Sequence, residues 1–136
     1  MAGFRSVFSG GVALVLAFGS AALSEGVSVE EAALGTSNVR LYVHPFLTPD
    51  ELATLRLVMT NEQALSLFVP NASGFSALAA SPSEGVIRDG KPVASAIALA
   101  ELPDAASAAK AAAAACDAAR VSDDPCVVVL EISPAN

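Results

Sequence analysis

Val39, Leu41 and Val43 alternate with Arg40, Tyr42 and His44 in "NVRLYVHPF". A period of two places one set on a buried face and predicts a strand, which Pro45 ends. "LTPDELATLRLVM" changes period. Thr48 can cap a helix, Pro49 suits its first position, and Glu51 stands three after Thr48 to complete a capping box. Leu52, Leu55 and Met59 then share one helical face. Thr60-Asn61 interrupts, and "EQALSLFV" reads as a second short helix, with a strand as the alternative. Before these elements, residues 25–37 mix Glu, Gly, Ser and Thr with short apolar spots, and read as a loose segment.

The C-terminal half is more regular. "GFSALAAS" predicts a strand and "SPSEG" a turn, with proline preset at its second position. Asp89-Gly90 in "RDGK" is a favoured two-residue hairpin connection. "PVASAIALAE" reads as one long strand, Val93, Ile97 and Leu99 on one side and Ala94, Ala96, Ala98 and Ala100 forming a flat opposite face. "LPDAASAAKAAAAACDAAR" is a helix by the high propensity of alanine. Asp104 stands at its positive end and Arg120 near its negative end, where each charge is favourable. "SDDP" ends it, and "CVVVLEI" is apolar on both faces, as in a strand inside a sheet. The long strand and the last strand, joined through one helix, should run parallel without having to be neighbours. The earlier strands form a meander. The expected fold is therefore α+β: a small mixed sheet, meander plus helix crossover, with an alanine-rich helix packed on one face as a single helical layer.

Charge and composition change the picture at the N-terminus. Arg5 precedes an uncharged, mostly apolar run from Ser6 to Phe18, followed by small residues and a first acid at Glu25. This is the order of a secretory signal peptide, and the run is shorter than the roughly 20 residues of a membrane span. Ser20-Ala21-Ala22 offers the small residues that the peptidase reads, so cleavage is expected after Ala22. Residues 1–22 are then the signal peptide, 23–37 a loose segment and 38–136 one domain with its core in 74–132. The mature chain of 114 residues suffices for one core. The full chain carries 7 basic and 14 acidic side chains for a net charge of −7, and losing Arg5 makes it −8. Such a balance excludes the counterion-releasing binding of nucleic acid. The signal-peptide order points to an exported protein, periplasmic or secreted, with no membrane association once the signal is removed.

Candidate chemistry is sparse. Cys116 falls near a helix end and Cys126 at a strand start, in a chain bound for an oxidising compartment, so a structural disulfide is the leading reading. A redox-active pair is the alternative, although a thiolate is disfavoured at a helix C-terminus. Two cysteines and one histidine are too few for a zinc site. His44 has no nucleophile or orienting carboxylate placed beside it by sequence, and reads as a strand-end side chain. Ser81, Ser83 and Glu84 fit a turn rather than a hydrolase, since the G-x-S-x-G elbow is missing. Asp117, Asp123 and Asp124 lack EF-hand spacing and read as caps of the helix-to-strand turn. "NAS" at 71–73 matches a glycosylation acceptor. No catalytic residue, metal site or cofactor is assigned.

"GFSALAASPSEG" and "AASAAKAAAAACDAARVSDDPCVVV" together resemble small exported bacterial domains of uncharacterised function. Their pattern is a Gly-aromatic-x-Ala strand, a Ser-Pro turn, an alanine-rich helix ending near a cysteine, and a second cysteine opening a Val-rich strand. The resemblance covers roughly residues 74–132 and implies export and a disulfide, with no active site to carry over. Similar chains also bear the name 5-aminolevulinic acid synthase, which implies a pyridoxal-phosphate enzyme joining glycine to succinyl-CoA. That chemistry takes a Schiff-base lysine, a phosphate cup and a ring-nitrogen partner. Here the lysines are Lys91, beside a hairpin turn, and Lys110, within alanines. The sequence therefore favours a small non-catalytic domain, structural or binding, over a thiol redox protein, and both over the synthase. An envelope protein is the expected kind of partner, and the alanine face of 94–100 the candidate contact surface. Internal packing is the preferred use of that face, because a single domain must cover its sheet. Oligomeric state stays open.

Overall fold

The computed structural model describes residues 27–68 and 74–135. The signal segment with Ala22 and the Asn71–Ser73 acceptor lie outside the described residues. The elements are β1 (Ser28–Leu34), β2 (Ser37–Val43), α1 (Pro49–Thr60), α2 (Glu62–Phe68), β3 (Phe75–Ala80), β4 (Ile87–Arg88), β5 (Lys91–Pro92), β6 (Ile97–Leu102), α3 (Ala105–Ala119) and β7 (Val127–Pro134). Five strands form one sheet in the order β1-β2-β7-β3-β6, and β4 and β5 form a separate hairpin. The class is α+β.

β7, read as an interior strand, lies at the centre between β2 and β3. The strands joined through α3, β6 and β7, run in the same direction as expected. β3 lies between them and pairs antiparallel with both, so the crossover creates no parallel ladder. The ladder skips Val129, since Leu78 opposes Leu130 and Ala79 opposes Val128. Such a bulge lets consecutive residues share a face, and Val129 and Leu130 both enter the main core.

The two sheet faces bury different chemistry. On one, Val39, Leu41, Leu78, Leu130 and Ile132 pack against Leu55, Val58 and Met59 of α1 and Leu65 of α2. α1 starts as its sequence requires: Thr48 accepts from the Glu51 N–H, Glu51 accepts from the Thr48 N–H, and Pro49 opens the helix. On the other face, Ala108, Ala112 and Cys116, spaced by four on α3, pack against Ala77 and Ala79. Phe75, Ile97, Leu102 and Val128 pack around this small-residue cluster. The alanine-rich helix does pack on one face, but α1 and α2 cover the other, so a single helical layer is corrected to helices on both sides.

Two local expectations change. Residues 28–34, read as loose, form β1, a regular edge strand paired along its whole length with β2. The two-residue link carries Gly35 at φ +61°, the glycine-first hairpin geometry. An edge strand with Glu30 and Glu31 at its middle buries too little to show in periodicity. The strand read over 92–101 is shorter, Ile97–Leu102, because Val93–Ala96 turns, with a bond from the Ala96 N–H to the Val93 carbonyl. Ala94 is thus exposed in that turn and leaves the alanine face. Ala96, Ala98 and Ala100 pack inward against the main core, as internal packing requires. β6 also bulges opposite Phe75–Ala77, with Glu101 at φ +64°. Gly74 approaches this bulge so closely that a Cβ there would lie 3.0 Å from the Leu102 carbonyl oxygen.

Candidate functional site

α3 covers β3, β6 and part of β7, leaving the same face of β1 and β2 open. Alternation sends Glu31 and Ala33 of β1, Asn38, Arg40 and Tyr42 of β2, and Glu131 and Ser133 of β7 to this open side. The register aligns them in rows: Glu31 opposite Arg40 opposite Glu131, and Ala33 opposite Asn38 opposite Ser133. The rows floor a half-open groove of about 490 Å³, bounded on the far side by Phe75 and by Ala105 at the start of α3. That volume lies within the usual range of small-ligand pockets.

The charges in the groove are unequally satisfied. Arg40 donates from Nε to Glu31 Oε2 at 3.1 Å, with Nη2 at 3.0 Å from the same oxygen. Its Nη1 lies 3.9 Å from Glu131 Oε1, beyond hydrogen-bonding distance. Glu131, whose side chain is 23% exposed, instead accepts the Tyr42 hydroxyl at 2.8 Å. Burial pushes the Tyr42 pKa up, with Glu131 adding and Arg40 opposing, so the phenol stays protonated and donating at neutral pH. Ser76 also borders the groove, but it stands opposite Ile132, so its hydroxyl belongs to the core side, where it is buried without a hydrogen-bond partner.

Cys116 of α3 and Cys126 are disulfide-bonded, with Cα atoms 6.0 Å apart and both residues buried. Polar contacts secure the crossover around them. Asp117 accepts from the Cys126 N–H at 2.9 Å and from Arg120 Nε at 2.8 Å, which together hold its carboxyl below the ordinary range. Asp124, through its carbonyl, accepts from Ser81 Oγ at 2.9 Å, and its carboxylate meets Ser83. Asp117 thus caps the helix-to-strand turn, as read from sequence, whereas Asp124 ties that turn to Ser81 and Ser83. Asp123 is exposed beside them. Glu84 does more than complete its own turn. The Ser95 hydroxyl, the Ser122 N–H and the Val121 N–H all donate to it and hold its pKa at about 2. The "SPSEG" turn therefore clamps the crossover loop.

Glu51 is the residue that sequence reasoning read only in part. Its side chain is fully buried, and beyond the cap its Oε2 accepts from the Val86 N–H at 2.7 Å, the Ile87 N–H at 2.8 Å and Arg88 Nε at 3.2 Å. Burial alone would raise its pKa, but donation from the Thr48, Ile87 and Val86 amides and from Arg88 outweighs it and brings the value to about 2. The capping box was legible, whereas the attachment of the β4–β5 hairpin to α1 was not.

His44 is half-buried, with Nε2 2.8 Å from the Val128 carbonyl and its ring stacked on Phe46. A carbonyl only accepts, so Nε2 carries the proton. Lys91 and Lys110 are exposed on separate elements and neither lines the groove. Among the described residues, no group of three or more His, Cys, Asp or Glu side chains is placed to hold a metal. No described helix is long and apolar enough to cross a membrane. Comparison with protein-family models, curated proteins and solved structures finds no match to this chain.

Proposed function

We propose that this chain is a small exported domain, periplasmic or secreted, that binds rather than catalyses and is stapled by the Cys116–Cys126 bridge. The observation that carries the reading is that buried bridge across the crossover, joined to a signal-like order at the N-terminus and an open groove on the sheet. A disulfide persists in oxidising compartments. Burial of both cysteines also favours a structural bridge over a redox-active one, because thiol exchange needs access for the attacking thiolate. The resemblance to small exported bacterial domains agrees with this reading, whereas no observation favours the synthase chemistry.

The test is expression of the full chain in a bacterial host, followed by fractionation, mass measurement and thiol alkylation. A product beginning at Leu23, found outside the cytoplasm with both cysteines blocked to alkylation, is expected. An unprocessed cytoplasmic product with two free thiols would overturn the proposal.

A further inference from the structure

We propose that the β4–β5 hairpin is an acid-released strap: protonation of Glu51 lets residues 86–93 swing off α1 as one unit while the five-stranded sheet stays folded. The hairpin is a sheet of its own, two residues per strand, and no ladder joins it to the larger sheet. Among the described residues, its hydrogen bonds to α1 converge on one carboxylate. Glu51 Oε2 accepts from the Val86 N–H, the Ile87 N–H and Arg88 Nε. Beyond that latch the hairpin stands away from the helix, and a gap of about 580 Å³ separates Thr48, Asp50 and Thr54 from Asp89, Gly90 and Pro92. The strap also has hinges and a fixed base. Gly85, at φ +78°, precedes it and the Val93–Ala96 turn follows it. A few such residues can absorb the rotation of a rigid-body swing. At the base, Glu84 accepts from Ser95 and from the Val121 and Ser122 amides, which ties both ends of the segment to the crossover loop rather than to α1. The Val93 N–H donates to the Val86 carbonyl at 2.8 Å and closes the hairpin on itself.

Besides the latch, apolar contact holds the strap: Val86 is buried in the main core and Ile87 packs against it. The charged groups around the latch are Arg88, bonded to it from β4, and Asp50 and Asp89, which border the gap. Protonation removes the charge that draws three donors onto one oxygen, and a neutral acid accepts more weakly than a carboxylate. The docked carboxyl lies at about 2 against an ordinary 4.5, so docking is fully favoured above pH 4.5 and loses ground as pH falls toward 2. An open strap uncovers Val86, Ile87 and the first turn of α1, a partly apolar cleft that is closed at neutral pH. An exported chain meets the pH of its surroundings, which gives such a strap its use, and the device itself stands whether or not the chain is exported.

Native-state hydrogen exchange of the oxidised protein, read amide by amide by NMR, tests the strap. The Val86, Ile87 and Val93 amides are expected to exchange through an opening that low urea does not accelerate. The Leu130 and Ile132 amides of central β7 should exchange only through global unfolding and speed up with urea. Corrected for intrinsic exchange, the hairpin opening should grow about thirtyfold from pH 6 to pH 3. Glu51→Gln should open the hairpin at pH 6 and abolish that pH dependence, whereas Glu84→Gln, at the base, should keep it. Hairpin amides that exchange only together with β7, or that open equally at both pH values, would overturn the proposal. So would a pH dependence that survives Glu51→Gln or disappears in Glu84→Gln. If Glu51→Gln does not fold, the urea and pH series on the wild type decide alone.

Discussion

Replacing Glu51 by glutamine would keep the shape of the side chain and remove its charge at a site with no solvent exposure. The carboxylate joins α1 to the β4–β5 hairpin, with one oxygen on the Thr48 N–H and the other on Val86, Ile87 and Arg88. Its carboxyl falls from 4.5 to about 2 on folding, which corresponds to about 3 kcal/mol at roughly 1.4 kcal/mol per pH unit. A count of donors reaches the same scale. Glutamine has one acceptor oxygen, so its amide must face either the Thr48 N–H or the pair from Val86 and Ile87. Orphaning one buried N–H costs about 1–3 kcal/mol. Urea unfolding at pH 7, followed by circular dichroism, should therefore show Glu51→Gln less stable by about 3 kcal/mol. The pH dependence has a fixed sign. Because the folded pKa lies below the unfolded value, the contribution is complete above pH 4.5 and drains away as pH falls toward 2. Wild-type stability should fall across that window, and Glu51→Gln should fall less. A variant within about 0.5 kcal/mol of wild type at pH 7, with the same urea dependence, would refute the reasoning.

Cys126→Ser opens a loop closed over a sequence separation of 10 and should cost about 2.5–3 kcal/mol; an unchanged melting temperature by calorimetry would mean that the bridge adds nothing. Lysine at Ala98, which packs on the main core, should destabilise by about 2 kcal/mol or more, whereas lysine at exposed Ala94 should be tolerated within about 0.5 kcal/mol. Equal urea midpoints for the two variants would contradict the inward packing of the alanine face. Gly74→Ala should lower thermal stability, because φ is +74° and the new Cβ would press on the backbone of Glu101 and Leu102. Glu101→Gly should raise it by roughly 0.5–1 kcal/mol, by relieving a left-handed non-glycine residue; opposite signs would count against the bulge geometry.

Local signals carried much of this fold. The Thr48 capping box, the Asp89-Gly90 hairpin and the acidic Asp104 at the start of α3 each depend on residues a few positions apart, and each stands where the sequence placed it. The cysteine pair was legible too, since a helix end and a strand start only ten residues apart must lie close. β1 was missed because an edge strand carries half of the usual burial signal. The start of β6 was misplaced because alanines fit strand, turn and helix alike.

What only the tertiary structure decided is set by residues far apart in the chain. Composition and periodicity determined that there is an apolar β7, but not that it separates β2 from β3 and thereby sets Glu131 opposite Arg40. A capping box announced Glu51 but held no trace of Val86 and Ile87, 35 and 36 residues on. The groove arises for the same reason, since its floor joins β1, β2 and β7 and its wall is the start of α3. Short-range periodicity records which way a side chain points along its own element. Which element lies opposite depends on strand order and register, and those follow from burying both sheet faces at once.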